Sequence, residues 1–350
     1  MDVRRRPWLT VQPSVAAVLR DVQAQCVDTE DVWVSAYSAS KSVHGSLTCE
    51  RKGSLGTLRA RSDATVWQVQ ATAQPDVWDV KVQGDVEMTA QVHVPRVQHT
   101  WEAGSHAPTR LAMSEQRWAI GGAEGQLYTG VWPGGAEAPS VPPVSCEGHA
   151  SDLTSVRFFP SGEVLVSTSL DMRARIFSAI DGSCPRTFQG HTRAITGSAI
   201  LGRGRHIATG SLDQTVRVWD VGRGATVQQW TREAPVTALE ACGATASTPE
   251  APIGALLAGG QQAVHAWDVR EAPSEAWALA LPPNSGPVSA MWAHEFGVLV
   301  GTHQGVVAVW DVRAPTTPLE AWTRSQAGIT DVYMDAQGAL VATSDGLPGT

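Results

Sequence analysis

The chain has 350 residues, a formal net charge of −8 and 17% charged residues, against about 25% in ordinary globular chains. The negative balance excludes the broad basic field that attracts nucleic acid or an acidic membrane surface. No apolar run approaches the roughly 18 residues of a membrane span. The five cysteines are widely separated and form no CxxC pair, which favours a reducing compartment. We therefore expect a soluble intracellular protein that binds neither nucleic acid nor membrane. We further expect a monomer of the cytoplasm, with the nucleus as a second location.

Residues 1–104 are predicted to form a small β-rich domain. Apolar and polar residues alternate there with the period of two that is typical of strands, over residues 32–37, 66–69, 77–82 and 86–94. The stretch Gly104–Thr109 is the expected junction, and residues 105–350 are assigned to a second domain.

A repeat organises the second domain. One segment runs from Gly148-His149 to Phe177, and the next runs from Gly190-His191 to Trp219-Asp220, with matching positions 42 residues apart. A Gly-His to Trp-Asp repeat with a period of about 40–45 is the signature of the WD40 β-propeller, in which each blade has four strands. A motif that reuses tryptophan also fits a chain with 14 Trp but 5 Phe and 3 Tyr.

Polar residues recur with the repeat and predict a buried hydrogen-bond network. Asp213, in the turn before the third strand, is predicted to accept hydrogen bonds from His191, Ser211 and the backbone, while the Trp219 indole closes the network. The preceding repeat is predicted to hold the same set with Phe177 in place of tryptophan: His149, Ser169 and Asp171. A His–Ser–Asp set also occurs in hydrolases, but its recurrence at strand positions favours a structural role.

Weaker copies extend the repeat in both directions. Trp267-Asp268 and Trp310-Asp311 end two further copies, a degenerate copy ends near Val131, and residues 340–346 repeat the approach to a third strand. Residues 244–252 are interpreted as a loop insertion. Because Leu347–Thr350 do not resemble a central strand, the prediction is an all-β propeller of five full blades and one unfinished blade. Propellers normally close their ring, so either an N-terminal strand completes the last blade or the chain stops before closure.

Several segments resemble the proteasomal ATPase-associated factor family. They are Phe158–Gly162, Asp181–Cys184, Gly202–Arg205, Leu212–Arg223 and Trp310–Pro315, together with Trp33–Ser35 and Val43–Cys49 near the N-terminus. The resemblance implies an N-terminal domain, a seven-bladed propeller, and neither catalysis nor a cofactor. It also implies an assembly chaperone that binds the C-terminal domain of a proteasome base ATPase subunit and delays docking of the regulatory particle on the core particle. Family members continue beyond Ser344–Gly346 through another blade, so the sequence is expected to be C-terminally truncated.

Loop residues on one face of the propeller are predicted to bind the partner: Asp152, Leu170, Arg193, Leu212, Glu233 and Asp331. Residues 221–350 carry 12 acidic and 5 basic residues, a balance that suits a basic ATPase surface. The alternative is a substrate adaptor of a ubiquitin ligase or a generic signalling scaffold, which the Val43–Cys49 resemblance disfavours. An enzyme is disfavoured because no paired-carboxylate, P-loop or zinc-ligand spacing occurs.

Overall fold

The computed structural model describes residues 3–94, 108–132, 142–242, 255–268 and 275–345, apart from short gaps at 39, 53–54, 62–65, 75, 295–296, 324–325 and 336–337. The predicted boundary at 104/105, the loop insertion at 244–252 and the segment 347–350 lie outside the described residues, in whole or in large part. The division into two domains therefore stays a prediction.

Two antiparallel sheets and one helix make up the N-terminal part. A four-stranded sheet holds β2 to β5 in chain order, and a three-stranded sheet holds β6 to β8. The bounds are β1 (Arg4–Arg5), β2 (Trp8–Val11), α1 (Val15–Gln23), β3 (Thr29–Tyr37), β4 (Ser42–Lys52), β5 (Leu55–Ala60), β6 (Trp67–Ala71), β7 (Val77–Val82) and β8 (Met88–His93). The described part of residues 1–104 is thus rich in β-strands, as the sequence predicted.

Helix α1 was not predicted from the sequence. Its apolar residues Val15, Val18, Leu19 and Val22 follow the i, i+3, i+4, i+7 spacing of an amphipathic helix, and they are buried in one cluster with residues of β3, β4 and β5 such as Leu47. None of the described helices is long and apolar enough to cross a membrane.

Five four-stranded antiparallel sheets follow, which we call blades one to five. Blade one has β9 (Pro108–Met113), β10 (Arg117–Gly122), β11 (Leu127–Val131) and β12 (Val144–Ser145), with a 3₁₀ turn at Ala123–Gly125. Blade two has β13 (Leu153–Phe158), β14 (Val164–Ser169), β15 (Ala174–Ser178) and β16 (Arg186–Phe188). Blade three has β17 (Ile195–Leu201), β18 (His206–Ser211), β19 (Thr215–Asp220) and β20 (Ala225–Thr231).

The later blades repeat the same order. Blade four has β21 (Ala238–Cys242), β22 (Ala255–Gly259), β23 (Ala263–Asp268) and β24 (Glu275–Ala280), and blade five has β25 (Val288–His294), β26 (Gly297–Thr302), β27 (Val306–Asp311) and β28 (Glu320–Thr323). A hairpin of β29 (Ile329–Asp335) and β30 (Gly338–Thr343) ends the described chain. Five full blades and one shorter sheet confirm the predicted all-β propeller.

The hydrophobic core lies between neighbouring blades rather than inside one of them. The first strand of each blade contacts the first strand of the next, from β9 to β29. Each apolar cluster of the propeller draws its members from two adjacent blades, for example Leu165 of blade two with Leu127 of blade one. Stacked blades thus bury surfaces that one sheet could not bury alone.

Small residues make this close stacking possible. A Cβ atom added to the second strand would lie within 3 Å of the next blade's side chains at four equivalent positions, where any larger residue would clash. Those positions are Gly121, Gly210, Gly259 and Gly301.

The N-terminal strand does not complete the last hairpin, which was one of the two sequence-based expectations. β1 instead pairs in parallel with β28 as a fifth strand of blade five. The Arg6 amide donates to the Thr323 carbonyl at 3.1 Å, and the Arg6 guanidinium lies 4.5 Å from the centre of the Trp322 ring and pairs with Glu320. The chain start is therefore anchored to the outer edge of blade five.

Candidate protein-interaction site

A buried hydrogen-bond network links the turn that precedes blade three to the turn between β18 and β19. The His191 side chain is 0% exposed, and its Nδ1 lies 2.8 Å from an Asp213 carboxylate oxygen. On the other edge of the ring, Nε2 lies 2.8 Å from Thr209 Oγ1, which also accepts the Trp219 indole N–H at 2.8 Å. One neutral tautomer satisfies all of these contacts: Nδ1–H donates to Asp213, and Nε2 accepts from Thr209.

Blade two holds a shorter version of this network. His149 lies 2.9 Å from Asp171 through Nδ1 and 2.9 Å from the Ser167 hydroxyl through Nε2. Phe177 takes the place of tryptophan, as the sequence predicted, so its ring contacts His149 without a polar hydrogen bond. The Ser167 hydroxyl of blade two therefore hydrogen-bonds to one ring nitrogen, that of His149. The Thr209 hydroxyl of blade three hydrogen-bonds to two, those of His191 and Trp219.

The predicted network is wrong in one member of each set. The Ser211 hydroxyl was predicted to donate to the Asp213 carboxylate; instead it accepts from the Asp213 amide at 3.1 Å and donates to the Ala194 carbonyl at 2.9 Å. Ser169 likewise accepts from the Asp171 amide and donates to the Ser151 carbonyl.

The orientation of the His191 ring determines which hydroxyl completes the network. The two imidazole nitrogens lie on opposite edges of the ring, so Nε2 points away from the turn once Nδ1 binds Asp213. It reaches the residue two positions deeper on the same face of the strand, about 6.6 Å along it, which is Thr209 rather than Ser211.

Burial and hydrogen bonding determine the charge of this network. Burial lowers the pKa of His191 below its ordinary value of 6.5, and it outweighs the opposing effect of Asp213. Burial also opposes ionisation of Asp213, but hydrogen bonds from the Thr215 hydroxyl, the Thr192 amide and His191 hold the pKa of Asp213 at about 2. The pKa values of His149 and Asp171 are lowered as well. A neutral histidine beside an ionised carboxylate is thus the resting state of both turns.

This arrangement suits structural support and not nucleophilic catalysis. The Thr209 and Ser167 residues that carry the hydroxyls are fully buried, so a substrate cannot reach their oxygen atoms in the folded protein. Among the residues that the structure describes, no group of three or more His, Cys, Asp or Glu side chains is placed to hold a metal ion.

The supported turns display other residues on the surface. Five of the six predicted partner-binding residues lie in loops: Asp152, Leu170, Arg193, Leu212 and Glu233. Leu170, Arg193 and Glu233 are exposed, whereas Asp152 and Leu212 are half-buried. Asp152 uses one carboxylate oxygen to accept the Glu124 amide at 2.9 Å, which ties the turn of blade one to blade two.

Asp331 is the exception, because it lies in strand β29 and not in a loop. Asp331 occupies the position in β29 that Ser155 occupies in β13. In each strand the pairing with the next strand shifts by one residue just before that position. Burial alone would lower the pKa of Arg157, but Glu240 and then Asp331 raise it, which places Asp331 in the electrostatic environment of the inner strands.

An ion pair that the sequence did not predict links two inner strands of the propeller. Arg157 of blade two makes two hydrogen bonds, 3.0 and 2.7 Å long, to the Glu240 carboxylate of blade four, and so passes across blade three. The two residues are 83 positions apart, and no repeat pattern signals such a pair.

Comparison with known proteins agrees with this geometry. The family model described as "WD domain, G-beta repeat" matches residues 141–178 and 182–220, the segments that carry the two histidine networks. The chain contains WD40 repeats. Each matched segment begins before the first strand of a blade, β13 or β17, and ends with the third strand of that blade, β15 or β19. One sequence repeat therefore leaves out the fourth strand of its blade.

Individual relatives share parts of the chain. The 26S proteasome regulatory subunit RPN14 of Saccharomyces cerevisiae is 39% identical over 87 residues, which are 25% of this chain and 21% of that protein. Eukaryotic translation initiation factor 3 subunit I of Drosophila mojavensis is 25% identical over 205 residues, 57% of this chain and 63% of that protein. The Drosophila melanogaster protein of the same name is 24% identical over 209 residues, 58% of this chain and 63% of its own length. The matches thus span about a fifth of the yeast protein and under two thirds of the fly proteins.

Proposed function

We propose that this protein is a non-enzymatic scaffold that binds the C-terminal domain of a proteasome base ATPase subunit and chaperones or regulates assembly of the regulatory particle. The observation that carries the proposal is the match to RPN14, a proteasome regulatory subunit by name, at 39% identity. That identity exceeds the 25% reached by the longer match to initiation factor 3 subunit I. The N-terminal segments Trp33–Ser35 and Val43–Cys49, which resemble the proteasomal ATPase-associated factor family, support the same partner.

The geometry of the propeller supports a binding role. Blades stacked through shared cores make a rigid scaffold, and its loops are held by buried networks such as that of His191. Rigid loop-built surfaces suit recognition of a folded domain, because little conformational entropy is lost on binding. We propose a monomeric protein of the cytoplasm, with the nucleus as a second location.

A second candidate is favoured by coverage. The match to initiation factor 3 subunit I extends over 57% of the chain, so a scaffold role in a translation initiation complex is the alternative that the comparisons support. A ubiquitin-ligase adaptor or a signalling scaffold is the more general alternative for a protein with WD40 repeats.

Direct binding tests the proposal. The purified full chain is titrated by calorimetry with purified C-terminal domains of the base ATPase subunits, and in parallel an affinity-tagged chain is recovered from cell extract. We expect saturable one-to-one binding to one ATPase domain and recovery of base subunits. Recovery of initiation factor 3 or cullin components, together with no binding to any ATPase domain, would overturn the proposal.

A further inference from the structure

Four exposed arginines meet at the end of blade three that lies opposite the predicted partner-binding loops. Two of them lie in the loop between β17 and β18, one lies in the turn between β19 and β20, and one begins β16 of blade two. They are Arg203, Arg205, Arg223 and Arg186, and we call them the arginine surface. In a chain with a net charge of −8, this concentration of positive charge is a local reversal of sign.

Hydrogen bonds hold the backbone of the arginine surface together. The Arg186 guanidinium donates through Nη2 to the Gly222 carbonyl at 3.0 Å, so blade two reaches the turn that carries Arg223. The Val221 amide donates to the Arg205 carbonyl at 3.0 Å, which joins the same turn to the loop between β17 and β18. Contacts among three chain segments therefore place the four residues at one end of blades two and three.

The Asp220 carboxylate lies beside this surface. One of its oxygens accepts the Arg223 amide at 2.9 Å, and the other lies 4.0 Å from His206 Nε2. The backbone hydrogen bond from Arg223 lowers the pKa of Asp220 most, and the charges of Arg223, Arg205 and His206 lower it further, although burial opposes them. The electrostatic environment at this end of blade three thus favours an ionised carboxylate.

The guanidinium groups themselves stay without a carboxylate partner. Within the described residues, none of the four forms an ion pair, because Asp220 binds the backbone of Arg223 and not its side chain. Blade five shows the other arrangement. There Arg313 follows Asp311 by two positions and pairs with it through Nε at 2.9 Å and Nη2 at 2.6 Å. Arg223 follows Asp220 by three positions, and its guanidinium remains available to a ligand.

The size and chemistry of the arginine surface suit a short acidic segment. The four strands of a blade, about 4.8 Å apart, span roughly 14 Å, which is the length of about four residues of extended chain. Guanidinium groups bind carboxylates through paired hydrogen bonds, as Arg313 does with Asp311. An extended nucleic acid would continue past this surface along a chain of net charge −8, where repulsion opposes binding.

We propose that the arginine surface binds a short segment rich in aspartate or glutamate on a partner protein. The guanidinium groups pair with the carboxylates of that segment, while Asp220 keeps its contact with the backbone. This contact goes beyond the proposed function, because it lies at the opposite end of the blades from the loops predicted to bind the ATPase domain. The two contacts therefore do not compete for one surface.

A fluorescently labelled peptide of about six glutamates tests the proposal. Its anisotropy is followed in low-salt buffer as the purified full chain is added, and then with the variants Arg203→Gln, Arg223→Gln and their combination. Both arginines are exposed, so the melting temperature should stay the same when their charge is removed. Arg313→Gln is the matched control, since it removes the same charge from an exposed arginine that already has a carboxylate partner.

We expect saturable binding that weakens about two- to fivefold in each single variant and about tenfold in the double variant, and that weakens as salt is added. Arg313→Gln should bind as the unmodified chain does. Absent binding by the unmodified chain, unchanged binding by the double variant, or an equal loss in Arg313→Gln would overturn the proposal.

A single-stranded oligonucleotide with as many phosphates as the peptide has carboxylates is titrated in parallel. We expect it to bind more weakly than the peptide. Tighter binding of the oligonucleotide, lost in the double variant, would assign the arginine surface to nucleic acid and overturn the acidic protein segment. None of these outcomes depends on whether an ATPase domain binds at the other end of the blades.

Discussion

Replacing Thr209 by valine is the most direct test of the buried network in blade three. Valine keeps the shape of threonine and removes only the hydroxyl, which lies 2.8 Å from both His191 Nε2 and Trp219 Nε1. The residue is fully buried, so water cannot replace the lost partner. Each nitrogen left without a partner costs about 1–3 kcal/mol, and the free energy of unfolding should therefore fall by about 2–6 kcal/mol.

A double-mutant cycle shows where that loss arises. Trp219→Phe removes the indole donor and reproduces the aromatic residue that Phe177 supplies in blade two. In the Trp219→Phe protein, Thr209→Val leaves only His191 without a partner. The loss in free energy of unfolding caused by Thr209→Val should therefore be about 1–3 kcal/mol smaller there than in the unmodified chain. Urea unfolding, followed by circular dichroism on all four proteins of the cycle, measures this coupling.

The comparison with Ser211→Ala separates the observed network from the predicted one. Ser211 hydrogen-bonds to the backbone of the turn, and the Ala194 carbonyl keeps the Leu212 amide as a donor at 3.0 Å. Ser211→Ala therefore takes a partner from the Asp213 amide and should cost about 1–3 kcal/mol, less than Thr209→Val, which leaves two nitrogens without a partner. Equal costs of Thr209→Val in the two backgrounds, or a larger cost for Ser211→Ala than for Thr209→Val, would refute the reasoning.

Three further outcomes follow from charge and burial. Because the folded state lowers the pKa of the two network histidines, the unfolded chain takes up more protons below pH 6.5; stability should fall there, and fall again below pH 3.8 as the lowered carboxylates titrate. A urea midpoint independent of pH between 7 and 5 would contradict this. Burial raises the pKa of Cys49 and Cys146 to about 12 and that of Cys242 to about 11, so iodoacetamide at pH 8 should leave them unmodified in the native protein, as mass spectrometry would show. Arg157→Ala leaves the Glu240 carboxylate, which is 12% exposed, without its partner; urea unfolding should show a loss of about 1–3 kcal/mol, against a smaller loss for the double variant with Glu240→Ala.

Much of the propeller could be predicted because its repeat is local. The 42-residue spacing of His149 and His191 fixes where each turn falls, and alternating apolar residues mark the strands on either side. The number of full blades followed from counting these copies. Helix α1 was not predicted although Val15, Leu19 and Val22 have helical spacing, because its 9 residues are fewer than the roughly 11–18 over which helical periodicity is distinctive.

Contacts between distant parts of the chain could not be predicted from the same patterns. The strand Arg4–Arg5 has no repeat partner, and only the folded chain brings it to β28 of blade five. The pair Arg157–Glu240 likewise depends on the curvature of the ring, which brings inner strands of blades two and four within reach of one side chain.

The sequence by itself determined the repeat, the identity of the histidine–aspartate pairs and the replacement of tryptophan by Phe177, since each follows from residue type at a constant spacing. Only the tertiary structure decided that Thr209 and not Ser211 completes the network, because both lie on the same face of one strand and the orientation of the His191 ring chooses between them. Spacing along a chain specifies which residues recur, but the direction of a side chain is set by its neighbours in the fold.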